Sequence, residues 1–327
     1  MAQFKVGIVG LGKLGNYHCN AVSQIADAEL VGVLDIDQRR AAEIAAKYGC
    51  TAYSDLESLF KAVDIVGIIV TTSEHLRIAR PALKAGKPLF IEKPITSTVA
   101  EAEELVRLSQ EKNLPVQIGH IERFNPAIRA LENIALTPMF IESHRLAPFD
   151  PRGTDVAVVL DLMIHDIDII LSLVKSEPKR IDANGVAVVS DAVDIANARI
   201  QFHNGCVANV TASRISQRKM RKMRLFQRDS YISIDFLQKL TEVFQMVDED
   251  QSKQNTLVLG QIDKGAHKRN IIYNRLNSPE EDALQAEWKS FCASLSGATP
   301  PLISALDGLK ALKVAVEITE IILKQNN

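Results

Sequence analysis

Along the first third of the chain, short apolar runs alternate with stretches whose apolar positions recur at helical spacing. Lys5 to Val9, Glu29 to Leu34, Asp64 to Thr72, Pro88 to Ile91 and Val116 to Ile118 read as strands. They are apolar at successive positions, as strands covered by helices on both faces must be. Gln38 to Tyr48, Leu76 to Ala85 and Val99 to Lys112 read as the intervening helices. Strand and helix keep this order through about Gly119, which predicts a doubly wound parallel sheet. Beyond a short helix near Ala127 to Asn133 the pattern turns to strands: Met139 to Leu146, Arg180 to Val189, Ile195 to Phe202, Val207 to Arg214, Met223 to Gln227, Tyr231 to Phe236 and Leu240 to Val247. Asn204-Gly205 is a hairpin signal among them. Two helices, Asp282 to Leu295 and Ala305 to Lys324, end the chain. The fold class is therefore α/β, with a first domain over residues 1–122 and a second over 123–327 built on an open, largely antiparallel sheet.

The first strand breaks into three glycines, Gly10, Gly12 and Gly15, in KVGIVGLGKLG. Glycines at this spacing let the backbone turn sharply and approach a pyrophosphate, which the N-H groups of the following helix then hold. The pattern carries weight only where an acidic residue ends a second strand some 20 residues on, and Asp35 does so. Gly10, Gly12, Lys13, Leu14, Gly15 and Asp35 are thus the predicted dinucleotide contacts of a Rossmann domain. A carboxylate at Asp35 accepts from ribose hydroxyls and repels a ribose phosphate, so NAD is favoured over NADP, although Arg39 and Arg40 follow closely. The alternative role for Asp35 and Asp37 is to cap the helix Gln38 to Tyr48.

Ligands of open α/β sheets bind at the carboxyl ends of the strands. Thr71 stands at the end of the strand Asp64 to Thr72 and His75 just beyond it, and Glu92, Lys93 and Pro94 close the strand Pro88 to Ile91. Thr71, His75, Glu92 and Lys93 are therefore assigned to the cofactor side, with His75 alternatively an ordinary N-terminal residue of the next helix. Lys93 is the first catalytic candidate, and the proline beside it can adopt a cis bond.

Val156 to Lys175 reads as one long helix, apolar almost all round and so largely buried. Asp161, His165 and Asp168 fall at i, i+4 and i+7, on one stripe of an ideal helix. Buried carboxylates and imidazoles cost free energy unless paired or functional. Either this stripe is an acid/base group facing a cleft, or His165 is a core histidine and Asp166 or Asp168 reaches solvent.

Composition narrows the reading further. A length of 327 residues accommodates two domains, and a formal charge of -2 gives no general basis for binding nucleic acid. Cys19, Cys50, Cys206 and Cys292 lack metal-ligand or CxxC spacing, which fits a reducing compartment, the cytoplasm, and predicts no metal site. No apolar run has the length of a membrane span, and the first strand begins too early to leave room for a signal peptide. Arg145, Arg152, Arg214, Arg218, Lys219, Arg221, Lys222 and Arg224 form two local basic groups. Arginine forks match phosphate oxygens, so a diphosphate would explain them; a solvated strand face or an oligomer contact is the alternative.

The glycine fingerprint, Glu92-Lys93-Pro94 and Asp161-x-x-x-His165, in that order, resemble the Gfo/Idh/MocA oxidoreductases over essentially the whole chain. The resemblance implies NAD-dependent oxidation of a sugar hydroxyl, with Lys93, Asp161 and His165 around the reacting carbinol. It also implies a homodimer or homotetramer made through the outer face of the second domain's sheet. The run Gly119 to Pro126, the segment Asp161 to Asp168 and Ala212 to Ser216 are similar to a subgroup that oxidises C3 of UDP-N-acetylglucosamine ahead of an aminotransferase, on the route to diamino-sugar lipid A. On that resemblance Arg123, Asn125, Arg145, Arg152, Asp168 and Arg214 are substrate candidates. His165 would take the hydroxyl proton and Lys93 stabilise the oxygen, or the two would exchange roles. A dehydrogenase of a free sugar, inositol or sugar acid, and a non-catalytic dinucleotide sensor, are the competing readings.

Overall fold

The computed structural model describes residues 3–150, 156–248, 257–264, 267–278, 280–297 and 299–326. The chain divides into two compact units, residues 1–124 with 281–313 and residues 125–280 with 314–327. The first break lies close to the predicted one. The helical segment 281–313, read from sequence as part of a contiguous second domain, instead belongs to the first unit.

In the first unit, β1 (Phe4–Val9), β2 (Ala28–Leu34), β3 (Thr51–Ala52), β4 (Ile65–Ile68), β5 (Leu89–Glu92) and β6 (Val116–Gly119) form a parallel sheet in the order β3-β2-β1-β4-β5-β6. The order reverses between β1 and β4, and Gly10 and Ile69 sit just beyond their carboxyl ends. Helices α1 (Lys13–Val22), α2 (Gln38–Tyr48), α3 (Leu56–Ala62), α4 (His75–Lys84) and α5 (Val99–Lys112) make the connections. Their ends follow local chemistry: Asp37 caps α2 through the N-H groups of Arg39 and Arg40, and Thr98 and Glu101 form a capping box on α5.

The segment that returns from the end of the chain completes this unit. Its helix, which we label α8 (Ala283–Ser296) after α6 and α7 below, buries Trp288, Phe291 and Cys292 against Val6, Ile8 and Phe90 of the sheet. Trp288 stacks on Phe90 with centroids 4.4 Å apart, and Gly67 leaves room for the indole, since a Cβ there would come within 3.2 Å of it. The helix is therefore a structural layer of the dinucleotide-type sheet, bound by apolar burial rather than by proximity in sequence.

In the second unit, α6 (Pro126–Arg129) is followed by β7 (Phe140–Leu146), a π-helical turn at Val159–Met163, α7 (Ile164–Val174) and eight further strands. These are β8 (Pro178–Val186), β9 (Ile195–Phe202), β10 (Val207–Ser213), β11 (Met220–Gln227), β12 (Ser230–Asp235), β13 (Leu240–Asp248), β14 (Leu257–Lys264) and β15 (His267–Leu276). Sheet order is β14-β15-β13-β12-β11-β7-β10-β9-β8. All pairs are antiparallel except β7 with β10, so the sheet is mixed and mostly antiparallel. β14 and β15 have no counterpart in the sequence reading. The inward positions of β7, β10 and β11, among them Ile141, Val210, Met223 and Leu225, are fully buried on one face of the sheet. Alternation then places Phe140, Phe226, Tyr231, Phe244 and Tyr273 on the opposite face, directly paired strand to strand. Helix α9 (Ala305–Asn326) closes the chain, its first residues in one unit and its last in the other.

Candidate active site

The three glycines have separable roles. Gly10 has φ +92°, and a Cβ there would lie 2.3 Å from the Ile69 carbonyl oxygen. On Gly15 it would lie 1.9 Å from the Gly10 carbonyl oxygen. Both are required for the turn to close and for α1 to pack against it. Gly12, at the N-cap of α1, has nothing within 4 Å of its Cβ position. Its backbone is bare toward open space at a helix N-terminus, which is the shape a pyrophosphate needs. The cradle therefore fits a dinucleotide. Lys13 and Leu14 form the exposed first turn of α1, Leu14 being 55% exposed.

Asp35 ends β2 with its carboxylate buried. Oδ2 accepts the Leu11 N-H of the glycine turn at 2.7 Å, and Oδ1 accepts the Asp37 N-H at 2.9 Å. Asp37, not Asp35, is the helix cap, which separates the two roles that the sequence had left open. Arg40 stands 3.8 Å from Asp35 and 3.5 Å from Asp37, while Arg39 pairs with Glu43.

Beyond β4, Thr71 precedes a short 3-10 turn and His75 begins α4. The His75 ring is fully buried. Nδ1 faces the carbonyl oxygens of Pro94 and Ile95 at 3.1 and 3.2 Å, and Nε2 faces that of Val70 at 3.2 Å. Burial, only partly offset by those carbonyls, lowers the ring's pKa below its ordinary value. His75 thus ties the end of β4 to the segment after Lys93, whose bond to Pro94 is cis.

At the end of β5, Glu92 and Lys93 are supported from behind. Glu92 Oε1 faces His18 Nε2 at 2.9 Å, and Oε2 accepts the Lys93 main-chain N-H at 3.1 Å. Burial works against the Glu92 charge, but the hydrogen bonds from His18 and from the Lys93 N-H, with the Lys93 ammonium nearby, outweigh that and hold its pKa below the ordinary glutamate value. Trp288 Nε1 lies 3.1 Å from His18 Nδ1. Neither His18 nor Trp288 was singled out from sequence. The signals were there: a histidine on the inward face of the fingerprint helix, and the only tryptophan of the chain.

In the second unit, the segment bearing Asp161 and His165 is not the single α-helix predicted for Val156 to Lys175. Asp161 lies in the π-helical turn and His165 in the first turn of α7, so the ideal i, i+4 stripe is interrupted between them. Such wide turns are frequent at functional sites. Asp161 and His165 are partly exposed, whereas Asp166 and Asp168 are both buried; the alternative in which one of those aspartates reaches solvent is excluded. Asp166 receives Arg145 Nε at 2.6 Å and the Ser143 hydroxyl at 3.0 Å. The Arg145 and Asp166 side chains are each only 2% exposed, so a buried ion pair pins the start of α7 to β7, one residue from His165.

The other substrate candidates are placed separately. Arg214 is buried, with its main-chain N-H on Asp194 O, its guanidinium 3.9 Å from the Asp194 carboxylate and a contact to the Val156 carbonyl. Asp194 also accepts the N-H groups of Val188, Val189 and Ser190 and the Ser190 hydroxyl. These bonds outweigh its burial and keep it well below the usual carboxylate range. Asn125 caps α6 and donates to the Phe236 carbonyl at 3.2 Å. Arg123 lies in the 3-10 turn Ile121–Phe124 of the first unit, and Arg152 lies outside the described residues. Among the described residues no His, Cys, Asp or Glu cluster suits a metal ion.

A bare glycine cradle with a buried strand-end carboxylate, a lysine at the end of β5 and an Asp-x-x-x-His segment over a mixed sheet define a dinucleotide-dependent oxidoreductase. Residues 4–120 match the family described as "Oxidoreductase family, NAD-binding Rossmann fold", and residues 141–231 match the GFO/IDH/MocA C-terminal domain. The chain belongs to the Gfo/Idh/MocA family. It is 35% identical to the UDP-N-acetylglucosamine 3-dehydrogenase of Acidithiobacillus ferrooxidans over 97% of both chains. A solved structure of that enzyme superposes with a TM-score of 0.87 over 98% of both chains, at 34% identity. The myo-inositol 2-dehydrogenase of Thermotoga maritima is 24% identical over 94% of this chain and 93% of its own.

Proposed function

We propose that this protein oxidises the C3 hydroxyl of UDP-N-acetylglucosamine to the ketone, using NAD. The observation that carries the reading is end-to-end similarity to an enzyme of that name, in a chain with Lys93 in Glu-Lys-Pro and Asp161 and His165 in Asp-x-x-x-His. Asp35 supports NAD over NADP, because a carboxylate already held by two backbone N-H groups accepts hydroxyls and repels a phosphate.

NAD, when bound, supplies the hydride acceptor. The residues of this chain manage the proton and the oxygen. His165, as a neutral imidazole, takes the hydroxyl proton as the C3–H bond gives up its hydride. Lys93, as an ammonium, stabilises alkoxide character on the same oxygen, and Asp161 orients the acid/base group. A lysine of lowered pKa would exchange roles with the histidine.

Two further parts of the proposal follow. Self-association is supported by the row Phe140, Phe226, Tyr231, Phe244 and Tyr273, half-buried on the outer sheet face with ring centroids 5.0–5.8 Å apart; such a row suits a second copy, giving a homodimer or homotetramer. Free cysteines, three of them buried, fit a reducing cytoplasm, where the product would feed an aminotransferase of diamino-sugar lipid A synthesis. No helix among the described residues is long and apolar enough to cross a membrane.

The test is NADH formation by purified protein with NAD and UDP-N-acetylglucosamine, beside inositol, glucose and a UDP-sugar acid, with a ketone trap to draw the equilibrium. A rate confined to UDP-N-acetylglucosamine is the expected result. A rate confined to inositol or glucose overturns the substrate, and silence with every alcohol overturns the enzyme reading in favour of a sensor.

A further inference from the structure

The end of β5 is held by a chain of hydrogen bonds that runs back into the core of the first unit. Trp288 Nε1 is an N-H group with no lone pair to offer, so it can only donate. It lies 3.1 Å from His18 Nδ1, and Nδ1 must therefore be the accepting nitrogen. That fixes the tautomer: the ring proton is on Nε2, which faces Glu92 Oε1 at 2.9 Å and donates to it. The other carboxylate oxygen accepts the main-chain N-H of Lys93. The direction of every bond follows from the chemistry of the indole at one end.

Packing leaves this chain little freedom. His18 and Trp288 are fully buried. Phe90 meets the imidazole edge-on at 5.3 Å and stacks on the indole at 4.4 Å. On its far side the Glu92 carboxylate lies against Gly119, where a Cβ would come within 3.0 Å of it. An imidazole in the other tautomer would present a lone pair to Glu92 and an N-H to Trp288, turning both hydrogen bonds into repulsive contacts.

We propose that His18, oriented by Trp288, is a positioning residue that holds the Glu92 carboxylate and through it fixes the backbone from which the Lys93 side chain departs. The inference rests on the reading of Lys93 as a residue of the reaction. Its logic is that a reacting group displaced by about 1 Å loses on the order of 10²-fold in rate. Gln is the informative replacement at position 18, because its amide N-H₂ can reach the place of Nε2 and donate to Glu92. Leu fills the space and donates nothing. Trp288→Phe keeps the stacking on Phe90 and deletes only the indole N-H.

The experiment compares the His18→Leu, His18→Gln and Trp288→Phe variants of the full-length enzyme, each checked for an unchanged fold by circular dichroism, together with ¹⁵N-histidine NMR of the parent and of Trp288→Phe. Expected are a fall in kcat of about 10- to 100-fold for His18→Leu, with KM for NAD within about twofold, and recovery of most of that loss in His18→Gln. The parent His18 signals should report the Nε2-H tautomer, and those of Trp288→Phe a mixture. An Nδ1-H tautomer in the parent, a normal kcat in His18→Leu, or equal losses in Leu and Gln would overturn the proposal. Lys93→Met separates the two levels: turnover there removes the underlying reading, while an inactive Lys93→Met beside a normal His18→Leu removes the positioning role alone.

Discussion

Alanine at two glycines of the same fingerprint should have opposite effects. At Gly15 the new Cβ would stand 1.9 Å from the Gly10 carbonyl oxygen. The obstacle is backbone, so no rotamer change relieves it and the turn must open; we expect a loss above about 4 kcal/mol, at the exceptional end of single substitutions. At Gly12 the Cβ meets nothing within 4 Å and φ is -63°, so alanine fits. Its cost as an N-cap relative to glycine is about 1 kcal/mol or less, a shift in Tm of roughly 2–4 °C. The methyl instead occupies the space that a pyrophosphate needs. Losing one charge-assisted hydrogen bond costs about 1.5–3 kcal/mol, or roughly 10- to 150-fold in Kd for NAD. Thermal melts with calorimetric NAD titration read both quantities. A Gly12→Ala protein that binds NAD like the parent, or a Gly15→Ala protein that melts like it, would refute this division of labour.

Arg145→Met should destabilise the protein by about 3–5 kcal/mol in urea, since it strands the buried Asp166 charge, and Asp166→Leu added to it should restore most of that loss. His75 makes stability depend on pH: its folded pKa lies below the ordinary 6.5, so the unfolded chain binds the proton more tightly. The contribution is complete above about pH 6.5 and is lost as pH falls toward the folded pKa, at no more than about 1.4 kcal/mol per pH unit; His75→Gln should flatten that slope in melts between about pH 7 and 5.5. Phe226→Asp with Phe244→Asp should shift the protein to monomer in light scattering, while an unchanged mass would clear the aromatic row of any interface role. Neutralising Arg218 and Lys219, both exposed, should raise KM for UDP-N-acetylglucosamine with kcat unchanged if they meet a diphosphate, and an unchanged KM assigns them to the solvated surface.

The first unit was legible in sequence because its central strands are buried on both faces and its turns carry glycine, proline and capping residues. Each of these has one local physical reading, whereas the exposed two-residue β3 and the short α3 were not read. The boundary of the second domain was not legible, because α8 joins the first unit through Trp288, Phe291 and Cys292 packing on Val6 and Phe90, and apolar periodicity says that a helix is buried without saying where. β14 and β15 escaped for a related reason. β14 is an edge strand whose Leu257 and Val258 are 58% and 46% exposed, so burial imposes no alternation on it, while β15, paired on both sides, buries the polar Asn270 beside Ile272, which breaks the apolar pattern. The π-helical turn at Asp161 is invisible to a 3.6-residue period, since one wide turn shifts the stripe without altering which residues are apolar.

The basic residues show why residue type alone is a weaker guide to a site than residue type with its partner. Arg145 and Arg214 were drawn together as phosphate ligands by their charge, yet each has a buried aspartate of its own, Asp166 and Asp194. Lys222 and Arg224 likewise stand 3.2 and 3.4 Å from Asp235 and Glu142. Charge counted along the sequence therefore overstates the positive field this unit can turn on an anion, because at least four of the eight basic residues have acidic partners within the same unit. Arg145 directs both Nε and Nη2 to the Asp166 carboxylate, so its charge is neutralised inside the protein. The same pair holds the backbone beside His165. One buried contact thus joins what the sequence had separated, a candidate ligand and the support of the segment proposed for acid/base chemistry, which is why Asp166, with no motif of its own, belongs in any test of that proposal beside Asp161.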